Sequence, residues 1–371
     1  MPKKVLFITV MDMYDKNGNG GVICSQRNYT FLQKCFGRDN VILATFPRVE
    51  YKIPPKGEIT FRRTQNNLQH LIAAILGYKV YFPWNEKKVF DFIKENDFDI
   101  VFIDSSLLGR ISKVKGNFKK VIFFHNVEAD YAKNKVRNEG IKYIPSYLAS
   151  KRNEKIAIEN VNAMIALNQR DSLRLEYLYG RSADFILPIT LHDQYNKEHA
   201  RIYKAQKNRL LFVGSFMPQN QAAIEWFMKE VMPKLTGITL DIVGKGFEIK
   251  KKEYEAENNV NVIGEVDCLD EYYYSHEIVI IPLLYGAGMK IKTAEAMMYG
   301  KLILASDEAL EGYDISSATG IFRCNTAEEY VVKINELCGD SYIQSDARSL
   351  FLNKYEEQCM ETEFEAFMKT L

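Results

Sequence analysis

The stretch Pro282-Leu-Leu-Tyr-Gly286-Ala-Gly288-Met-Lys290-Ile-Lys292-Thr-Ala-Glu295-Ala-Met-Met-Tyr-Gly300 decides how the chain is read. An apolar run, Ile278–Ile281, stops at Pro282. Glycines follow, then an amphipathic segment over Ile291–Tyr299, then a second apolar run, Leu302–Ala305. Strand, glycine turn and helix in that order open a parallel βαβ unit. The glycines let backbone N–H groups approach an anion closely, and the helix start adds partial positive charge. Gly288, Lys292 and Glu295 fall on one stripe at i, i+4 and i+7. A lysine there can neutralise phosphate, and a carboxylate one turn on can accept two ribose hydroxyl hydrogens. By spacing alone the pair has a second reading, an exposed i,i+3 ion pair worth about 0.2–0.5 kcal/mol.

Outward from this stretch, the same alternation covers the second half. Arg209–Val213, Thr239–Val243 and Asn261–Ile263 read as strands, and Gln221–Leu235 as a helix. The first half repeats it, with strands at Lys4–Val10, Asn40–Thr45, Ile100–Ile103, Val121–Phe124, Ala163–Ala166 and Ala183–Leu187. Helical patterns lie between them at Ser25–Cys35, Glu86–Glu95 and Tyr147–Glu159. Wholly apolar strands separated by helices predict an α/β chain of two doubly wound domains in tandem, each sheet covered on both faces. The domains are read as 1–190 and 209–354, facing a cleft and joined by the polar linker 190–209. A last helical pattern covers Tyr355–Leu371.

The 371 residues are 47% apolar and 26% charged, enough to bury two cores and too apolar for a disordered chain. No apolar run reaches the roughly 18 residues of a membrane span. Val5–Ile8 reads as a first strand rather than a signal peptide, because Asp12 and Asp15 interrupt the apolar stretch. Six scattered cysteines without a Cys-x-x-Cys pair read as free thiols of a reducing cytoplasm. The net charge of +1 conceals a split: residues 1–200 carry 31 Lys/Arg against 21 Asp/Glu, and the remainder reverses the excess. Much of the positive charge accompanies apolar residues in Phe61–Trp84 and continues through Lys113–Lys120 and Lys133–Lys155. Such a surface suits anionic lipid headgroups or an anionic acceptor; an ordinary helix packed on its own sheet is the other reading. Nucleic acid is a poor candidate, since no recognised binding module accompanies the charge.

Two further places in the first half look chemical. Gly18-Asn-Gly20-Gly21 follows the first strand and suits close backbone approach to a ligand, or a plain turn. It is not the Gly-x-Gly-x-x-Gly dinucleotide fingerprint, and no acid stands at the tip of the next strand, so hydride transfer is disfavoured. His125 stands at the carboxyl end of the run Val121–Phe124, where ligands collect in parallel sheets. No cysteine–histidine spacing suits zinc. Asp97-Phe-Asp99 precedes a strand instead of following one, so it reads as a solvated turn rather than a metal site.

Taken together, these pieces resemble the retaining glycosyltransferases of the large GT-B group, family 4 (glycosyl transferases group 1), in particular bacterial polysaccharide-type members. The likeness is carried by Leu210-Leu-Phe-Val-Gly214-Ser215 with Pro218-Gln-Asn220 and Trp226-Phe227, by Ile242-Val-Gly244-Lys-Gly246, and by Gly264-Glu-Val266. It continues through Gly286–Glu295 and Glu311-Gly312, with Gly20-Gly21 and His125-Asn126-Val-Glu128 in the first half. The resemblance implies two Rossmann-like domains, with the C-terminal helix, 355–371, crossing back to the first. It implies a nucleotide diphosphate sugar as co-substrate, with no cofactor and no metal. Glu295 would hold the ribose, and Lys290 or Lys292 the diphosphate. Gly214, Ser215, Gly244, Gly264, Gly286, Gly288 and Met289 would line the donor, and Gly20 and Gly21 would approach its phosphate or the acceptor. His125 would touch the transferred sugar. The implied acceptor is a saccharide or lipid-linked hydroxyl, and the implied place is the cytoplasm or the inner face of its membrane. Two departures stand out: Ala287 occupies a position that is often glutamate, and Met217-Pro-Gln-Asn220 replaces the usual Arg/Lys pair. A GT-B sugar-nucleotide 2-epimerase and a non-catalytic sugar-nucleotide-binding subunit are the competing readings.

Overall fold

A computed structural model describes residues 3–15, 20–47, 58–256, 259–286, 288–316, 318–339 and 343–371. The chain divides into two compact units, one of Met1–Pro188 with Glu361–Leu371, the other of Ile189–Met360.

The first unit is built on a seven-stranded parallel sheet. Its strands are β1 (Val5–Thr9), β2 (Val41–Thr45), β3 (Glu58–Thr60), β4 (Ile100–Ile103), β5 (Lys119–Phe124), β6 (Ala163–Ala166) and β7 (Phe185–Ile186), in the order 3-2-1-4-5-6-7. Every described pairing is parallel, with Val5 opposite Val41 on one side and Ile100 on the other. Parallel strands need crossovers, and helices α1 (Gly20–Phe36), α2 (Asn67–Ile75), α3 (Pro83–Glu95), α4 (Glu128–Glu139), α5 (Ile144–Asn160) and α6 (Gln169–Tyr179) supply them. β1, β4 and β6 are buried along their whole length because helices cover both faces, which explains their unbroken apolar runs.

The second unit has six parallel strands in the order 10-9-8-11-12-13: β8 (Gln206–Val213), β9 (Thr239–Val243), β10 (Val260–Gly264), β11 (His276–Ile281), β12 (Leu302–Ala305) and β13 (Ile321–Arg323). Its helices are α7 (Lys197–Ile202), α8 (Pro218–Glu230), α9 (Lys251–Tyr254), α10 (Asp270–Ser275), α11 (Ile291–Met298), α12 (Ala327–Cys338) and α13 (Ala347–Lys354). Pro218 stands in the first turn of α8, where its missing N–H costs nothing. α12 opens on a capping box, Thr326 with Glu329.

Three local readings differ. The stretch 190–209 holds α7 and the first residues of β8 rather than an irregular linker, and Asp193 pairs with Arg348 at 2.7 Å inside the second unit. The helix expected from Ser25 begins at Gly20, so the two glycines form its first turn. The C-terminal pattern breaks at Tyr355 into α13 and α14 (Glu357–Lys369). From Glu361 onward α14 packs in the first unit, where Phe364 meets Phe31 and Phe185 at ring-centroid distances of 5.6 and 6.4 Å.

Candidate functional site

Strand order reverses between β8 and β11 in the second sheet, and between β1 and β4 in the first. In doubly wound sheets ligands bind beyond the carboxyl ends of strands at such reversals. Both reversals carry polar side chains.

In the second unit, Lys292 lies in the first turn of α11. Its ammonium donates to Asn220 Oδ1 at 2.8 Å and lies 4.3 Å from the Phe212 ring centroid. Asn220, buried in the first turn of α8, donates to the Ser215 carbonyl at 2.7 Å. Gly214 closes this corner, since a Cβ there would lie 2.6 Å from Lys292 Nζ. Gly244, at φ +146°, comes closer still: a Cβ would lie 2.0 Å from the Gly214 carbonyl oxygen. The Gly244 amide donates to the Gly264 carbonyl at 2.7 Å, and Gly214 to Val243 at 2.9 Å. Three of the sequence-predicted glycines, 214, 244 and 264, therefore meet at the ends of β8, β9 and β10.

The two lysines differ in their partners. Lys290 is ion-paired to Glu308 at 2.6 Å and also donates to the Gly288 carbonyl, with only 11% of its side chain exposed. Gly286 abuts that pair, and Met289 is buried. Among the described residues no carboxylate forms an ion pair with Lys292. Burial drags its pKa down to about 7 against the opposing pull of Glu295. Glu295, one turn on, accepts from the Tyr273 hydroxyl at 3.2 Å, and burial raises its pKa. Tyr273 stacks on Tyr299 with centroids 4.6 Å apart, which fixes the hydroxyl. The pair is thus not the exposed surface bridge that spacing alone allowed.

In the first unit, Asp104 follows β4 and is fully buried. Its Oδ2 accepts from Thr9 Oγ1 at 2.9 Å and from the Ser25 hydroxyl, and its Oδ1 from Asn28 Nδ2 at 2.9 Å. His125 Nε2 lies 2.7 Å from the Asp104 carbonyl oxygen and 3.4 Å from the carboxylate. Burial lowers the imidazole pKa, but the Asp104 carboxylate, with a smaller contribution from Cys24, outweighs it and lifts the value to about 10, which favours the protonated ring. Gly20 and Gly21 start the helix that brings Ser25 and Asn28 to this hub.

The structure therefore joins Gly214, Ser215, Gly244, Gly264, Lys292 and Glu295 around one strand reversal, with Gly286, Gly288, Met289 and Lys290 in the adjoining loop. His125 stands at the other reversal. Gly18, Asn19 and Ala287 lie outside the described residues. Sequence reasoning missed Asn220 as a lysine partner, Tyr273 as the glutamate's donor, and Asp104 as the hub around His125. Asp104 had a signal, since it directly follows the buried run Ile100–Ile103. Among the described residues no group of three His, Cys, Asp or Glu side chains is placed to hold a metal ion.

Residues 207–340 match the family described as Glycosyl transferases group 1. No curated protein sequence matches the chain. Sucrose-phosphate synthase from Thermosynechococcus elongatus has a similar structure, with a TM-score of 0.70 at 15% identity over 99% of both chains. HepE from Anabaena, solved in complex with UDP and glucose, gives 0.68 at 15% identity over 100% of both. The lipopolysaccharide outer core galactosyltransferase WaaB in its apo form gives 0.65 at 15% identity over 99% of both. The chain thus has the GT-B fold, and its second unit carries the sequence likeness to group 1 glycosyl transferases.

Proposed function

We propose that the protein transfers a glycosyl unit from a nucleotide diphosphate sugar to a hydroxyl acceptor, retaining the anomeric configuration and without a metal. The observation that carries this reading is the half-buried Lys292, which has no carboxylate ion-pair partner among the described residues and stands at the strand reversal of a segment resembling group 1 glycosyl transferases. Departure of a nucleotide diphosphate builds negative charge on the pyrophosphate. The Lys292 ammonium and the start of α11 offer positive charge where that charge grows, a kind of contribution worth about 3–4 kcal/mol for one well-placed donor. Glu295, one turn further along, is the hydrogen-bond acceptor for the ribose hydroxyls. Lys290, tied to Glu308, shapes the loop and holds Gly288 in place. In the first unit, the Asp104–His125 pair presents a fixed imidazolium, suited to donating to a sugar hydroxyl. No protein nucleophile is invoked: the departing phosphate oxygen takes the acceptor proton as the new glycosidic bond forms on the same face.

The test is calorimetric titration of nucleoside diphosphates and their sugars, UDP and UDP-glucose first because HepE was solved with UDP, followed by transfer to saccharide and lipid-linked acceptors. Binding by the wild type, with Glu295→Ala losing at least about tenfold in turnover, is the expected result. Absence of binding across the panel, or full turnover by that variant, would overturn the assignment. Conversion of the donor with no acceptor added would point to an epimerase instead.

A further inference from the structure

Helix α2 is built inside out. Its buried positions are Ala73 and Ala74, whereas Leu68, Ile72 and Ile75, at i, i+4 and i+7, are 66%, 42% and 67% exposed. Leu71 and Leu76 widen the stripe at 41% and 46%. A helix that serves only its own domain turns its large apolar residues inward. α2 ends against α5: Asn153 Nδ2 donates to the Gly77 carbonyl at 3.1 Å, and a Cβ at Gly77 would meet Arg152 Nη1 at 3.1 Å. The turn before α5 and the start of α5 continue the pattern, with Ile141, Ile144 and Leu148 exposed at 80%, 41% and 57%.

The charge around these residues is mainly positive. Residues 59–85 contain Arg62, Arg63 and Lys79 and no acid. Residues 131–153 contain six Lys/Arg and a single acid, Glu139. Of these, Lys133, Arg137, Lys142 and Lys151 are exposed, and Lys135 and Lys142 lie over the Tyr143 ring at 5.4 and 5.2 Å. No helix among the described residues is long and apolar enough to cross a membrane. Exposed aliphatic side chains on α2 and around the start of α5, with exposed lysines in the neighbouring segments, match the demands of a bilayer interface: the apolar face enters the acyl boundary while cations meet anionic headgroups. A second copy of the chain fits poorly, because pairing this face with itself would bring like charges together.

We infer that the α2–α5 face of the first unit docks on an anionic lipid bilayer. The inference stands independently of the proposed transfer reaction, since it rests on neither strand reversal.

Flotation of the full-length protein with phosphatidylcholine vesicles, with and without phosphatidylglycerol, tests it. Retention is expected only on the anionic vesicles, weakening as salt is raised. Ile72→Ser/Ile75→Ser and Lys142→Glu/Lys151→Glu are each expected to lower partitioning at least about tenfold while leaving nucleotide binding unchanged. Two variants of different chemistry keep the test intact if one of them folds poorly. No retention on anionic vesicles, equal retention on neutral ones, or full retention by both variants would overturn the inference. So would a concentration-dependent dimer abolished by the isoleucine variant in the absence of lipid.

Discussion

Lys292→Met separates the cost of the half-buried ammonium from its use. The substitution keeps an apolar stem over Phe212 and removes the charge. The folded protein holds this lysine at about 7 against 10.5 for an ordinary one, so in that window the unfolded chain binds more protons than the native state. The destabilisation is therefore complete below about pH 7 and fades as pH climbs towards the unfolded value. Allowing for partial solvent access and for the lost Asn220 hydrogen bond, the variant should be more stable than wild type by about 2–4 kcal/mol at neutral pH. For a unit of this size that raises Tm by at least about 4 °C. Ligand binding should move the other way. Loss of one charge-assisted contact to a diphosphate costs about 2 kcal/mol, or roughly 30-fold in Kd. Differential scanning calorimetry from pH 6 to 10 (a range chosen to span about 7), with nucleotide titrations on the same samples, reads both effects. A lower Tm at every pH, or an unchanged Kd, would refute the idea that this lysine is held uncompensated for an anion.

Two other outcomes follow from the geometry. The His125 pKa is raised, so the stability contributed by its pairing with Asp104 is complete below about 6.5 and is lost as pH rises towards the folded value near 10. In urea melts the stability gap between the wild type and Asp104→Asn should narrow across that window by up to about 1.4 kcal/mol per pH unit, the opposing Lys292 contribution being common to both, while His125→Ala should lose more in sugar transfer than in nucleotide affinity. Gly244→Ala should cost more than about 3 kcal/mol, because its Cβ would strike the Gly214 carbonyl at 2.0 Å. Gly237→Ala, at φ +72° with nothing within 4 Å, should cost only about 1–2 kcal/mol in the same denaturation assay.

How far the sequence could be read depended on the range of the interactions. β1, β4, β6 and β12 were legible because strands buried on both faces read as apolar runs. The strand–glycine–helix order at 278–300 placed Lys292 and Glu295 correctly on α11. It could not separate Lys292 from Lys290, because Glu308 and Asn220 come from remote segments. Asp104 was hidden for the same reason, as its partners Thr9 and Ser25 are 95 and 79 positions away. α2 was ambiguous because periodicity reports that an apolar stripe exists, not which way it faces.

The route of α14 bears on how the molecule is made. Residues Glu361–Leu371 belong to the first unit yet are synthesised after all of the second. Until they emerge from the ribosome, Phe31 and Phe185 lack their Phe364 cover, so the earlier-made unit waits, with aromatic surface open, for the later one. A stop codon at position 361 would thus injure the beginning of the polypeptide more than its end.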